Sequence, residues 1–387
     1  MLDRSKLLQQ MHALAGQLFI DFSGDYACAR EVWEKISQDA AFIYTVRAAQ
    51  AGTPLLLPTW EPAQSLSCAC SIAQPIATAP THEQSVDTEQ LCYRVISVDG
   101  SQIYPDRHQG SSCFLINVGM VMLAYGIVGK AAALSCRPTV YSGQEMTDVF
   151  VSTEVINGQR QEAELQEGFR LCAAYAHDGA PQLLLFDGSL VFWHLEAQDT
   201  RLRDRFLPAY LASLQQLYEA RHLVAGYISA PRSRELVNLI KLALIKEGKE
   251  SEAEALRLVD AHVAHFFLTP GTRSIVFKNH ASICEHYAEH LQPHFFYVHV
   301  GDEIGRVEIP AWIAADERLV TFVAQVIVDQ CAKGYGYPVA IAEAHEQAVV
   351  KGADRDFFYQ ALNRLSIAHK QRMLGSQKSM KKRRASF

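Results

Sequence analysis

The chain of 387 residues has no apolar run near the roughly 20 residues needed to span a bilayer. Its opening, Met1-Leu2-Asp3-Arg4-Ser5-Lys6, lacks the apolar core of a secretory signal, so a cytoplasmic protein with no membrane contact is expected. A disulfide framework is also missing. The nine cysteines are scattered and odd in number, which implies reduced thiols. Cys68 and Cys70 form the one close pair, and without a second pair nearby they make a poor zinc signature. Positive charge is in short supply: the net charge is −6 and the sequence pI near 6.2. That balance excludes nucleic-acid binding through bulk charge and requires any such contact to be local. One local candidate is the tail, where Lys378, Lys381, Lys382, Arg383 and Arg384 crowd together as a flexible solubilising end or a phosphate-binding arm. No repeat of solenoid period is visible. What the chain does have is apolar mass, 49% hydrophobic against 20% charged, enough for one large domain or two smaller ones.

Four regions are expected. Residues 1–63 read as a helical extension, with Leu7, Met11, Leu14 and Leu18 on one helical face and Val32, Trp33 and Ile36 on a second helix. Residues 64–89, rich in Ser, Ala, Pro and Thr, read as a loop or linker. Residues 90–370 form the main domain, and 371–387 the basic tail. Within the main domain, strands are predicted at Tyr93–Val98, Cys113–Ala124, Leu183–Phe186, Leu223–Ile228, Ser274–Phe277, Phe295–Val300 and Arg306–Ile309. Helices are predicted at Arg160–Ala176, Ser233–Lys246, Glu252–Phe266, Ile283–His290 and Asp316–Lys333. Strands gathered early with helices interspersed later indicate an α/β or α+β domain with a mixed sheet.

A doubled feature carries the chemistry. An apolar strand ending in Asp-Gly-Ser occurs at Asp99 and again at Asp187. A carboxylate at a strand end followed by glycine leaves an acid at the rim of a sheet, where a ligand can approach the backbone closely. If the two strands are neighbours, the carboxylates repel unless they share a proton or a divalent cation. Asp-Gly is also a common hairpin turn, so a purely structural role stays open. A shared proton would suit an aspartic-type hydrolase, though the residue order and the helices speak against it.

Several segments together resemble the NurA nuclease family. Val95-Ile96-Ser97-Val98-Asp99-Gly100-Ser101, followed by Pro105-Asp106-Arg107 and Asn117-Val118-Gly119, resembles its opening motif, and Phe186-Asp187-Gly188-Ser189-Leu190 its second. Gly226-Tyr227-Ile228-Ser229 with Pro231-Arg232-Ser233, Pro270-Gly271-Thr272-Arg273-Ser274, Arg306-Val307-Glu308-Ile309-Pro310-Ala311-Trp312, and Tyr337-Pro338 through Ala344-His345 follow in order. The resemblance implies an RNase H-like fold, a homodimer, and DNA cleavage dependent on manganese or magnesium. It also implies a HerA-type hexameric ATPase as partner in end resection.

The family's metal carboxylates then fall on Asp99, as a bridging ligand, and on Asp187. A third acid is expected on the preceding helix: Glu164, which follows an arginine by four residues, with Glu162 and Glu167 as rivals. A late histidine falls on His345, on a helix expected from Pro338 to Gly352. Ile341, His345 and Ala348 share one face there, which aims the imidazole inward, a position that equally suits a structural histidine. Two ions answer the needs of phosphodiester hydrolysis, and a nearby histidine tilts the choice toward manganese. Arg232, Arg234, Arg273 and Lys278 are candidate phosphate contacts, and Tyr335 and Tyr337 candidates to stack on an unpaired base. The apolar N-terminal helix and the Ile309–Trp312 segment are candidate dimer surfaces. A catalytically silent subunit bridging DNA and motor is the competing reading.

Overall fold

Eleven residues from Tyr93 to Ile103 form an unbroken strand, β2, and the domain is organised around it. The computed structural model describes the chain outside residues 1, 20, 40–41, 43–54, 62, 73–91, 106–112, 130, 143–151, 194–199 and 370–387. The basic tail, Asp106 and Arg107, and most of the expected linker therefore lie outside the described residues.

The other strands are β1 (Cys70–Ser71), β3 (Phe114–Tyr125), β4 (Ala132–Tyr141), β5 (Gln182–Asp187), β6 (Leu223–Ile228), β7 (Thr272–Arg273), β8 (Phe277–Lys278), β9 (Pro293–His299) and β10 (Ile304–Pro310). They make one mixed sheet in the order β1-β7-β9-β10-β6-β5-β2-β3-β4, with β8 paired to β9. β2, β3 and β4 form an antiparallel meander, while β2, β5 and β6 run parallel. A meander whose first strand pairs in parallel with β5, itself parallel to β6, is the RNase H-like arrangement expected from the sequence. The helices are α1 (Arg4–Ala13), α2 (Ala15–Leu18), α3 (Ser23–Gln38), α4 (Thr153–Tyr175), α5 (Thr200–Glu219), α6 (Glu235–Lys246), α7 (Glu250–Ala255), α8 (Asp260–Ala264), α9 (Ala311–Ala314), α10 (Glu317–Lys333), α11 (Val339–Ala348) and α12 (Gly352–Ala368).

Strand alternation divides the core into layers. Ile96, Val98 and Leu184 face α4 and α5, packing with Leu165, Phe206 and Leu214. Further along that face, Phe295 and Tyr297 meet α6 and α3. Val95, Leu183 and Leu185 point the other way, toward Val323 and Ile327 of α10 and Ile341 of α11. Each fully buried side chain of this kind contributes about 1.5–3 kcal/mol. The N-terminal region divides. Val32, Trp33 and Ile36 of α3 are buried, with Trp33 stacked on Phe267 at 5.7 Å, whereas Leu7, Met11 and Leu14 stay exposed. Ile309 and Pro310 are buried within β10, whereas Ala311 and Trp312 of the same segment are partly exposed.

The structure departs from the sequence reading in identifiable places. β2 does not stop at Asp99 but continues through Gly100 and Ser101, because those residues keep their ladder with Val118 and Asn117 of β3. At the second copy the expected turn does form, and Gly188 adopts φ +103 after the last residue of β5. The helix expected over Glu252–Phe266 is broken into α7 and α8 by Leu256 and Leu258, both buried. Ser274–Phe277 is not a continuous strand, and the Ile283–His290 region forms short 3-10 turns. The helix expected to reach Gly352 closes at Ala348, and Gly352 begins the next helix.

Close approach of α11 to β3 depends on Gly119. A β-carbon there would overlap the Ala344 carbonyl and the Ala348 amide, and both are backbone atoms that cannot swing aside. The last carbonyls of α11 are held by the meander itself: Asn117 Nδ2 donates to Ala348 O at 2.8 Å, and the Ser101 hydroxyl donates to the same oxygen. Gly119→Val is therefore expected to cost about 2–3 kcal/mol. A drop in the urea midpoint measures it, and an unchanged midpoint refutes this packing.

Candidate active site

Asp99 and Asp187 occupy neighbouring positions on neighbouring strands. Val98 pairs with Phe186 in the last register pair of the parallel β2–β5 ladder, and the two aspartates come one residue further on. They follow Val95 and Leu185 by even steps, so both belong to the face covered by α11. Each carboxylate has a local partner. Asp99 Oδ2 accepts from His345 Nδ1 at 2.8 Å, and its Oδ1 accepts from the Gly100 amide at 2.8 Å. Asp187 accepts from the Tyr337 hydroxyl. Burial raises the Asp187 carboxyl above its ordinary value and the negative charge of Asp99 raises it further, while the Tyr337 hydrogen bond and His345 act in the opposite direction.

Glu164 arrives from the other helical layer. Gly100 faces α4, and a β-carbon there would overlap Glu164 Oε1 and Arg160 Cγ, so glycine opens the path by which the glutamate reaches the edge of the sheet. Arg160 holds the arrangement through Nη1 to Gly100 O at 2.9 Å, with its Nε 3.5 Å from Glu164 Oε1. That oxygen is buried with no hydrogen-bond partner, on a side chain only 14% exposed. Burial pushes the Glu164 carboxyl up to about 8; Arg160 lowers it, Asp99 and Asp187 raise it, and the Gly100 amide lowers it.

The rival acids on α4 are engaged elsewhere. Glu167 pairs with Arg137 at 2.5 Å and Arg170 at 2.6 Å, and Glu162 accepts from Gln166 one turn away. His345 does not point into the core as its helical face suggested. The buried face of α11 is Ala340, Ile341, Ala344 and Ala348, and His345, one residue past Ala344, is rotated to the flank, 62% exposed, where it meets Asp99. Tyr337 joins the site as the partner of Asp187 rather than as a free ring, while Tyr335 is fully exposed at φ +54.

Of the four candidate phosphate contacts, Arg232 and Arg234 are exposed just beyond β6, at the edge that carries Asp187. Arg273 is a correction: it is 2% exposed, its guanidinium bonded to Ser274 O and Glu317 and lying over the Phe296 ring, so it is unavailable to DNA. Lys278 is half-buried on β8, whose partner β9 lies three strands from β5.

Residues assigned no role of their own from sequence hold the turn after Asp187. Glu308 Oε2 accepts from the Ser189 hydroxyl at 2.6 Å and the Leu190 amide at 3.0 Å. Its Oε1 accepts from Arg306 Nε at 2.9 Å, and Arg306 also donates to Glu235 and Tyr297. The signal was the polar spacing Arg306-x-Glu308 inside an otherwise apolar strand, since a buried charge requires a partner.

The strand order gives the domain an RNase H-like α/β architecture, with two acids at the shared edge of β2 and β5. Residues 93–350 match the family model of the NurA domain, and the chain belongs to the NurA family. No curated protein matches it. Among solved structures it is similar to a crystal structure of NurA, with TM-score 0.39, 11% identity, and 70% of this chain and 88% of that chain covered. It is likewise similar to a crystal structure of NurA with manganese, at TM-score 0.37 and 11% identity, covering 70% and 89%. A third likeness is to a variant endonuclease V of Ciona intestinalis in complex with a 23mer DNA containing inosine followed by ribo-adenosine, at TM-score 0.31 and 13% identity, covering 66% and 84%.

The raised Glu164 carboxyl has a consequence for stability. In the unfolded chain this group ionises near its ordinary value of 4.5, and in the fold only near about 8. Its stabilising contribution is therefore fully present below pH 4.5 and is lost as the pH rises toward 8. In metal-free protein Glu164→Gln should leave stability little changed at pH 4 and raise it by up to about 5 kcal/mol at pH 9. Denaturant unfolding in a chelating buffer at the two pH values tests this, and an equal effect at both is the contrary result.

Proposed function

We propose that this protein is a divalent-metal-dependent deoxyribonuclease of exonuclease and single-strand endonuclease type. On this reading it is a cytoplasmic homodimer that resects DNA double-strand breaks beside a HerA-type hexameric ATPase. No described helix is long and apolar enough to cross a membrane. The nuclease reading rests on one observation: Asp99 and Asp187 stand side by side in register, with a buried Glu164 oxygen that accepts no hydrogen bond in their field.

Those residues fit a hard cation. Three carboxylates supply oxygen donors, and a buried glutamate with an unsatisfied oxygen is costly until a positive charge or a proton compensates it. Asp99, Asp187 and Glu164 would hold manganese or magnesium, with His345 as a further ligand or as the group that orients the scissile phosphate. Bound there, a pair of such ions lowers the pKa of an attacking water and neutralises charge on the leaving 3′ oxygen. For the chain's own residues the requirement is a release of partners: Glu164 gives up its proton, and the His345–Asp99 and Tyr337–Asp187 hydrogen bonds free carboxylate oxygens. Arg232 and Arg234 supply charge for the backbone phosphates.

One observation favours the silent bridging subunit instead. Among the described residues, no three His, Cys, Asp or Glu side chains already converge as a metal site. Cleavage of linear and single-stranded DNA with manganese, magnesium or chelator separates the two readings. Cleavage should require the metal and fall at least about 100-fold in Asp99→Asn and in Asp187→Asn, a loss of about 2.7 kcal/mol or more in transition-state stabilisation. Folded wild-type protein that binds DNA and cuts nothing would establish the silent reading. Replacing Arg232 and Arg234 by alanine should weaken DNA binding and reduce the salt slope by about one unit per residue.

A further inference from the structure

Directly behind the turn that follows Asp187 lies a cavity of about 340 Å³, in the size range of small-molecule sites. We propose that it is a subsite for one unpaired nucleotide of the DNA, with the phosphate at Arg232 and Arg234 and the base beside Trp193. The inference rests on the nuclease reading and names where the strand next to the cut is held.

Position is the first argument. Ser189 is part of the cavity wall, and two residues of chain reach at most about 7 Å, so the cavity opens within a nucleotide or two of Asp187. Its lining is the second. Trp193, Pro231, Ile228 and Leu56 give apolar sides that suit a base, and Asn238 and Ser233 add polar groups that suit its edge. Trp193 is fixed before anything binds, because its indole Nε1 donates to the Ser189 hydroxyl at 3.0 Å. The ring is thereby tied to the Asp187 turn, and little side-chain freedom remains to be lost on stacking.

Charge is the third argument. Arg232 and Arg234 stand exposed among the lining residues, and among the described residues neither forms an ion pair. Deeper in the wall is Arg306, 2% exposed, with Nε and Nη1 committed to Glu308, Glu235 and Tyr297. Its Nη2 is buried without an acceptor. A buried arginine with one unused donor calls for an acceptor that the protein itself does not supply. The segment that carries both exposed arginines begins at Ala230, which is held at φ +43, a conformation that favours glycine.

A stacked base has no room there in a duplex. The base must leave its stack to enter, which restricts the site to a frayed end or a single strand. The test uses the full chain in chelating buffer, with deoxynucleoside 5′-monophosphates and inorganic phosphate as separate probes. The monophosphates should bind at least tenfold more tightly than phosphate. Trp193→Ala should remove about tenfold of that affinity while leaving phosphate binding in place, and Trp193→Phe should restore most of it. Arg232→Ala with Arg234→Ala should weaken both probes. Circular dichroism confirms that each variant is folded. Monophosphates that bind no better than phosphate, or with an affinity indifferent to Trp193, overturn the subsite even if manganese-dependent cleavage is observed. Failure of the nuclease reading would show separately, as intact nucleotide binding without cleavage by the wild type.

Discussion

Parallel pairing of β2 with β5 is the constraint on which the rest of the molecule depends. Strand side chains alternate, so a register shifted by one residue would send Asp99 and Asp187 to opposite layers and separate their charges. The register is held by apolar demand on both faces: Ile96, Val98 and Leu184 must meet α4 and α5, while Val95, Leu183 and Leu185 must meet α10 and α11. Two hydrophobic layers thus enforce an electrostatic juxtaposition that the acids by themselves would resist.

Two buried charge systems flank that edge and are treated differently by the fold. Arg306 is surrounded by Glu235, Glu308 and the Tyr297 hydroxyl, and its guanidinium lies 3.7 Å from the centre of the Phe295 ring. Removing one partner from so buried a pair strands the other, at a cost of about 3–5 kcal/mol. This system is structural in kind, since it fixes the Ser189 turn. Glu164 is the opposite case, with burial dominating and Arg160 too distant for a good hydrogen bond. An acid kept short of compensation at a sheet edge is the arrangement expected of chemistry rather than of scaffolding.

Much of this was legible in the chain because apolar patterning and burial coincide. β6 runs over Leu223–Ile228 as predicted, α10 begins one residue after the predicted start, and both aspartates close or interrupt apolar runs. β4 was not legible, because nearly every residue on both its faces is exposed and no alternation survives to be read. α5 carries a clear apolar face through Leu202, Phe206, Tyr210, Leu214 and Leu217, yet Pro208 sits inside it and masks the helical signal. Asp99-Gly100 reads as a turn because glycine after aspartate usually makes one; here the glycine serves the approach of Glu164, a tertiary demand with no local signature. The same holds for Tyr337 and for the outward rotation of His345, which follow from how α11 docks.

Gly100 and Gly119 leave the sheet bare on its two opposite sides within one cross-strand step of each other. On one side the backbone of α11 closes directly on Gly119, while on the other the Glu164 and Arg160 side chains of α4 fill the space over Gly100. Backbone contact transmits displacement with little compliance, so movement of α11 passes directly to β3 beside Asp99 and to His345 on the helix itself. Stiffness at this contact is therefore set by α11, whose buried Ala344 is the immediate neighbour of His345.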